Sequence, residues 1–158
     1  MRVAVISDTH LRTPTPWFEA VYEQHLAGAD RIYHCGDHTG LSLWSYLLQH
    51  PGFESVAGNS DGHDLADQLP PLLERDLCGL RLAVTHGWGM RPGLAARIAA
   101  AFTDRYDLVL FGHSHAAEDV RIGHTRLINP GSLSPGGSLA LLECDPQAGV
   151  RAVRFVSV

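Results

Sequence analysis

Two imidazoles one residue apart, His113 and His115, follow Gly112 at the end of the apolar run Asp107–Phe111. That run has the length and the β-branched, aromatic character of a buried strand. Two imidazoles separated by one small residue at the mouth of a strand do not easily bind the same ion, so the pair reads as ligands to different ions. Gly112 lets the backbone turn sharply off the strand end. The same grammar recurs along the chain. Asp8 and His10 follow the apolar stretch Arg2 to Ser7, Asp37 follows Arg31–His34, Asn59 follows Phe53 to Ala57, and His86 follows Leu80–Thr85. In α/β proteins ligand sites gather at the carboxyl ends of strands. The donors are oxygen and imidazole nitrogen without a thiolate, which suits Mn, Fe, Zn, Co or Ni in a catalytic site better than a structural zinc. Seven such residues are too many for one ion and suit two that share a carboxylate.

The elements that must position these residues can be read from periodicity. Thr13-Pro-Thr-Pro16 precedes a helix with Thr15 as N-cap and Pro16 at its first position, running to Leu26 and stopped by Gly28. Trp17, Phe18, Val21 and Tyr22 fall on one stripe of it, the pattern of a core-facing side. A second helix spans Leu41 to Gln49. This strand, loop, helix rhythm predicts parallel strands. The second half is richer in strands: a hairpin of Leu72–Leu77 and Leu80–Thr85, a helix Pro92 to Phe102, a second hairpin of Glu118–Ile122 and Thr125–Ile128, and closing strands Ser138 to Glu143 and Val150 to Val156. So many strands call for two sheets with helices on their outer faces.

At 158 residues, with 45% hydrophobic and 18% charged content, the chain reads as one globular domain over residues 1–158. A formal net charge of −5 leaves no basic field for tight nucleic-acid binding. Cys35, Cys78 and Cys144 are odd in number and widely spaced, as expected of free thiols in the cytoplasm. The apolar run Val3–Ile6 is too short for a membrane span or a signal peptide, so no membrane partner is expected. A homo-oligomer is left open.

The series Asp8-x-His10, Gly36-Asp37, Gly58-Asn59, His86-Gly87 and Gly112-His113-x-His115 resembles the calcineurin-like metallophosphoesterases. It is most similar to their small single-domain phosphodiesterase branch, which includes a non-enzymatic relative in the retromer coat. Ile128-Asn-Pro-Gly-Ser132 also resembles that branch's late motif. The resemblance implies an α/β fold, a four-layer α/β/β/α sandwich of two mixed sheets flanked by helices. It implies that Asp8, His10 and His115 hold one divalent metal ion, that Asn59, His86 and His113 hold a second, and that Asp37 bridges them. Manganese is the first expectation for both ions, with Fe, Zn, Ni and Co also compatible. The implied reaction is hydrolysis of a small phosphate-ester substrate by a bridging hydroxide, around which Asp37, Asn59 and His113 stand. Ions about 3.5–4 Å apart can clamp a phosphoryl group in this way. A phosphodiester monoanion matches the net positive charge of such a site. The alternatives are a phosphomonoesterase or nucleotide pyrophosphohydrolase, and a catalytically idle protein-interaction scaffold.

The departures from the wider family concern the leaving group. Ser60 stands where many relatives carry a proton-donating histidine, and Asp61 is the residue expected to orient such a ring. His38 and His63 flank the motifs and are the remaining acid candidates, although each reads first as a solvated loop histidine. Trp88 replaces the second histidine of a His-Gly-His motif, and serves either as a stacking platform or as a lid on the core. Arg12 and Arg91 read as exposed loop arginines, with phosphate steering as the alternative.

Overall fold

Residue alternation decides the layering. In strand β1 (Arg2–Ile6), Val3 and Val5 point to one face while Ala4 and Ile6 point to the other, and all four are fully buried. A strand buried on both faces reads as a continuous apolar run. Val3 and Val5 join the core between two sheets; Ala4 and Ile6 join the core beneath the helices.

The computed structural model describes residues 1–103 and 105–158. After β1 come β2 (Arg31–His34), β3 (Phe53–Ser55), β4 (Leu72–Leu77), β5 (Leu80–Thr85), β6 (Leu108–Leu110), β7 (Ala117–Ile122), β8 (Thr125–Pro130), β9 (Ser138–Asp145) and β10 (Gly149–Ser157). One sheet has the order β10-β9-β1-β2-β3, the other β4-β5-β6-β8-β7. β1, β2 and β3 are parallel, with Val5 opposite Tyr33 and His34 opposite Ser55, while β9 runs antiparallel to β1. In the second sheet β5, β6 and β8 are parallel and the two hairpins add antiparallel edges. Both sheets are therefore mixed. The loops leaving β1, β2, β3, β5 and β6 carry the candidate ligands.

Helix α1 (Pro16–Val21) continues as a π-helical turn over Tyr22–Leu26. Thr15 caps it by accepting the Phe18 N–H at 3.2 Å, with Pro16 in the first turn. Phe18 and Leu26, with Leu43 and Leu47 of α2 (Leu41–Leu47), cover the first sheet against Ile6, Ile32 and Leu139. Leu94 and Ile98 of α4 (Leu94–Phe102) cover the second against Ala83, Val109, Phe111 and Leu127. The result is the four-layer sandwich of helix, sheet, sheet and helix.

Several boundaries differ from the sequence reading. α4 starts at Leu94 rather than Pro92, because Gly93 takes a left-handed φ of 71° and delays the first turn. Gly28 does not adopt the left-handed conformation of a helix cap. β3 and β6 are trimmed to three residues each where the chain leaves for the ligand loops. A short helix α3 (His63–Ala66) has no counterpart in the sequence reading, since four residues carry no periodicity. No helix of the described residues is long and apolar enough to cross a membrane.

Ile98 is fully buried between α4 and the second sheet, remote in sequence from every candidate ligand. Ile98→Ala should therefore cost about 2–5 kcal/mol of stability. Urea unfolding of the metal-free protein, with m unchanged, is the measurement.

Candidate metal centre

The loops at the strand ends are held in a backbone conformation that ordinary residues avoid. Asp8, His10, Asp37, Thr39, His113 and His115 all have positive φ, between 49° and 83°. Each non-glycine residue in this region costs on the order of 1–3 kcal/mol, and such strain clusters at functional sites. The loops also approach one another more closely than side chains would permit. A Cβ on Gly58 would collide with the Asp37 backbone nitrogen and carboxylate, and one on Gly112 with Ser7 Oγ and Asp8 Oδ2.

These loops bring together donors from both sheets. Asp8, His10 and His115 offer atoms within 4.8 Å of one another, and so do Asp8, Asp37 and His86. Asp8 Oδ1 is fully buried without a hydrogen-bond partner. Around it stand the Nε2 atoms of His115 at 3.2 Å, His10 at 3.9 Å and His86 at 4.0 Å. An ionised oxygen so placed is costly unless a cation faces it, and the oxygen and imidazole donors fit a divalent transition metal. Asp37 Oδ2 faces both groups, 3.8 Å from His10 Nε2 and 3.4 Å from His86 Nε2. Asn59 Oδ1 lies 3.1 Å from His86 Nε2. Asp8 is common to both groups, and Asp37 lies within 4 Å of an imidazole of each. His113 stands at the margin, its ring centroid 5.1 Å from that of His86.

Electrostatics follow this crowding. Burial alone would raise the Asp37 carboxyl, but hydrogen bonds with His86 and Ser60 outweigh it and hold the group well below the usual carboxylate range. Burial likewise opposes charge on His86, yet Asp37 and Asp8 beside it lift its pKa. His115 moves down, through burial chiefly, against the pull of Asp8.

A layer of residues behind the donors fixes their aim, as ligating histidines require. His86 Nδ1 bonds the Cys35 carbonyl at 2.7 Å, which leaves Nε2 facing the carboxylates. Asn129, fully buried, donates to Gly112 O at 2.8 Å and to Ser114 Oγ at 3.0 Å, while its own oxygen accepts the Gly131 N–H. Ser132 donates to the Asp8 carbonyl at 2.8 Å. The late motif thus braces the β1 and β6 loops, a role that sequence spacing alone did not reveal. Asp61 ties the β2 and β3 loops: its carboxylate accepts the N–H groups of Gly58 and Thr39, each at 2.7 Å, and faces His38 Nδ1 at 3.3 Å.

This arrangement corrects the sequence reading at His38 and gives Asp61 and Ser60 definite partners. His38 is no solvated loop residue: its ring is fully buried and stacked on His34, with centroids 3.6 Å apart. Asp61 does not wait to orient a ring at position 60, because its oxygens are taken by the two loops it joins. The Ser60 hydroxyl is itself committed, donating to Asp37 Oδ2 at 2.9 Å. His63 is exposed at the start of α3, as expected of a loop histidine. Trp88 is 41% exposed and meets Phe102 of α4 edge-on. Arg12 and Arg91 are exposed.

Removing the Asp61 carboxylate strands two backbone donors in a crowded loop. Asp61→Ala should destabilise the metal-free protein by about 3 kcal/mol, given roughly 1–3 kcal/mol for each unsatisfied buried group. Ser60→Ala loses two side-chain bonds, to Asp37 and from the Asn59 amide, but strands no backbone donor, and should cost about 1–2 kcal/mol. Denaturant unfolding of the two variants side by side checks the ordering.

Comparison with known proteins adds an independent finding. Residues 1–146 match the model of the calcineurin-like phosphoesterase superfamily domain. The chain is 29% identical over 135 residues to the Bacillus subtilis protein "Probable metallophosphoesterase YsnB", covering 84% of this chain and 75% of that one. It is 30% identical over 137 residues to a "Probable metallophosphoesterase" of Mycoplasma pneumoniae, covering 84% and 79%. Among solved structures, a Thermotoga maritima protein is 31% identical with a TM-score of 0.70, covering 99% and 98% of the two chains. Zinc-complexed Vps29 of Entamoeba histolytica has a TM-score of 0.75 at 20% identity, over 100% and 98%. An archaeal phosphodiesterase has a TM-score of 0.74 at 18% identity over the whole of both chains. With its donors gathered at the strand ends of a two-sheet sandwich, this chain belongs to the calcineurin-like phosphoesterase superfamily.

Proposed function

We propose that the protein is a metal-dependent phosphodiesterase that works with two divalent ions, manganese first among them. The observation that carries this reading is the unpartnered, buried Asp8 Oδ1, faced by imidazole nitrogens from both sheets. Asp8, His10 and His115 would hold one ion; Asn59, His86 and His113 the other; Asp37 Oδ2 lies between the two groups. When bound, such ions supply Lewis-acid charge to the phosphoryl oxygens and acidity to the attacking water. The name of one structural neighbour, an archaeal phosphodiesterase, points the same way.

The chain's own residues set the substrate preference. Two carboxylates against two divalent ions leave the pocket positive, which a diester monoanion neutralises. Neither Ser60 nor His38 is free to protonate the leaving group: the Ser60 hydroxyl is bound to Asp37, and His38 is buried against His34. The leaving alcohol must then depart on its own acidity, so aryl diesters should react well and alkyl esters poorly. The small, acidic chain with three free cysteines suits a cytoplasmic enzyme acting on small phosphate esters rather than on long nucleic acids.

The test is chelation followed by reloading with Mn, Fe, Co, Ni or Zn and assay on aryl diesters, aryl monoesters and nucleotides. Activity should vanish on chelation, return with the metal, and favour the diester. Asp37→Ala should lower both metal content and turnover. A reloaded protein with two ions and no turnover on any ester would establish a metal-containing scaffold instead. A monoester or nucleotide preference would move the assignment within the superfamily.

A further inference from the structure

Arg97 lies on α4, outside the donor set, yet its side chain is directed wholly at the loop that follows His86. Its Nη1 donates to the carbonyl oxygens of Trp88 at 3.1 Å and Met90 at 3.0 Å, and its Nη2 to that of Pro92 at 3.4 Å. Three carbonyls spread over five residues are gathered by one planar guanidinium, whose forked donors suit such a task. The guanidinium also packs under Gly89: a Cβ there would sit 3.7 Å from Arg97 Cζ. The loop needs such a hold. It contains two glycines with left-handed φ, Gly87 at 95° and Gly89 at 79°, and Met90 beyond them is 74% exposed. Glycines at such positions lose much conformational freedom on being fixed.

What the clamped loop touches is His113. The Gly89 carbonyl, between the two carbonyls held by Arg97 Nη1, lies 2.8 Å from His113 Nε2. A carbonyl can only accept, so Nε2 carries the proton, and in the neutral ring the lone pair is then on Nδ1. We propose that Arg97 is a positioning residue of the metal centre: it clamps the Trp88–Pro92 loop so that the Gly89 carbonyl locks His113 in the tautomer able to ligate through Nδ1. This rests on His113 being a metal ligand, as in the preceding reading. It explains why His113, unlike His10, His86 and His115, turns Nε2 away from the carboxylates. It also gives α4 a function beyond covering the second sheet: the helix is the anchor for one imidazole.

The experiment separates this role from simple helix stability. Long-range proton–nitrogen NMR correlations of the histidine rings are recorded on the metal-free protein at mildly alkaline pH, for wild type, Arg97→Ala and Arg97→Lys. The control is Arg151→Ala, an exposed arginine paired with Asp145 on the β9–β10 turn. Wild type and the control should show His113 as the single Nε2–H tautomer; Arg97→Ala should show a mixture of tautomers. Lysine, a single ammonium unable to span the three carbonyls, should restore little of the wild-type signal, and added guanidinium should restore part of it in Arg97→Ala. Zinc titration by calorimetry should show the second ion weakened about 10–100-fold in Arg97→Ala, the range for loss of a partner behind a ligand, with the first ion retained. Arg97→Ala with an unchanged His113 tautomer and unchanged zinc affinities would overturn the proposal, as would equal weakening of both ions. The tautomer is read without metal or substrate, so it decides the role of Arg97 even if the phosphodiesterase assays fail.

Discussion

A carboxylate oxygen buried without a partner is the constraint on which this molecule is built. Folding buries Asp8 Oδ1 where water does not reach it, and leaves it facing imidazoles. Unpaired, such an oxygen is a liability of several kcal/mol in a chain whose net stability is of that order. Its companion Oδ2 is by contrast well provided for, taking the Ser7 hydroxyl at 2.6 Å and the His113 N–H at 3.0 Å. One half of the group is thus pinned to the scaffold and the other held open toward the centre. Left-handed loops, glycines at points of contact and the Asn129 and Ser132 braces are all means of keeping that one oxygen, and the donors around it, where they are.

What the sequence disclosed and what it hid divide along a physical line. Each donor follows an apolar run, and apolar periodicity is a local property, so Asp8, His10, Asp37, Asn59, His86, His113 and His115 could be placed at strand ends before any coordinates. The two-sheet sandwich was legible for the same reason. The partners behind the donors were not, because they act across the fold. Nothing in the spacing of Asp61 says that it will meet the N–H groups of Gly58 and Thr39, and nothing near Arg97 says that a loop preceding it will lie across its guanidinium. His38 was misread because a polar loop sequence looks solvated, whereas the ring is folded beneath the loop against His34. The closeness of Asp8 to both groups of imidazoles likewise depends on side-chain direction, which spacing does not encode.

The two halves of the sandwich contribute unequally in kind. The first sheet supplies both carboxylates and the amide of Asn59 together with His10; the second supplies only imidazoles, His86, His113 and His115. Both carboxylates therefore lie on one side, and a cation held between the two sets of donors would draw the sheets together across their shared apolar core. The structural likeness to zinc-complexed Vps29 at 20% identity shows that the architecture persists through extensive change of sequence. A fold by itself does not name an activity; here the argument for chemistry comes from the side chains.

The pairing of β1 sets the order in which this protein can be completed. β1 is made long before β9, yet it lies in the middle of its sheet, with β2 on one side and β9 on the other, Arg2 opposite Glu143. Its second neighbour is synthesised only after β2 to β8 have been made. Contacts of such long sequence separation are slow to form and leave an unpaired edge exposed in the meantime. A chain emerging from the ribosome would hold an apolar strand, ready to pair with whatever lies nearest, until β9 arrives to close it. Asp8 rides on the end of that strand, so β9, made long after it, is also the strand that finally immobilises this donor.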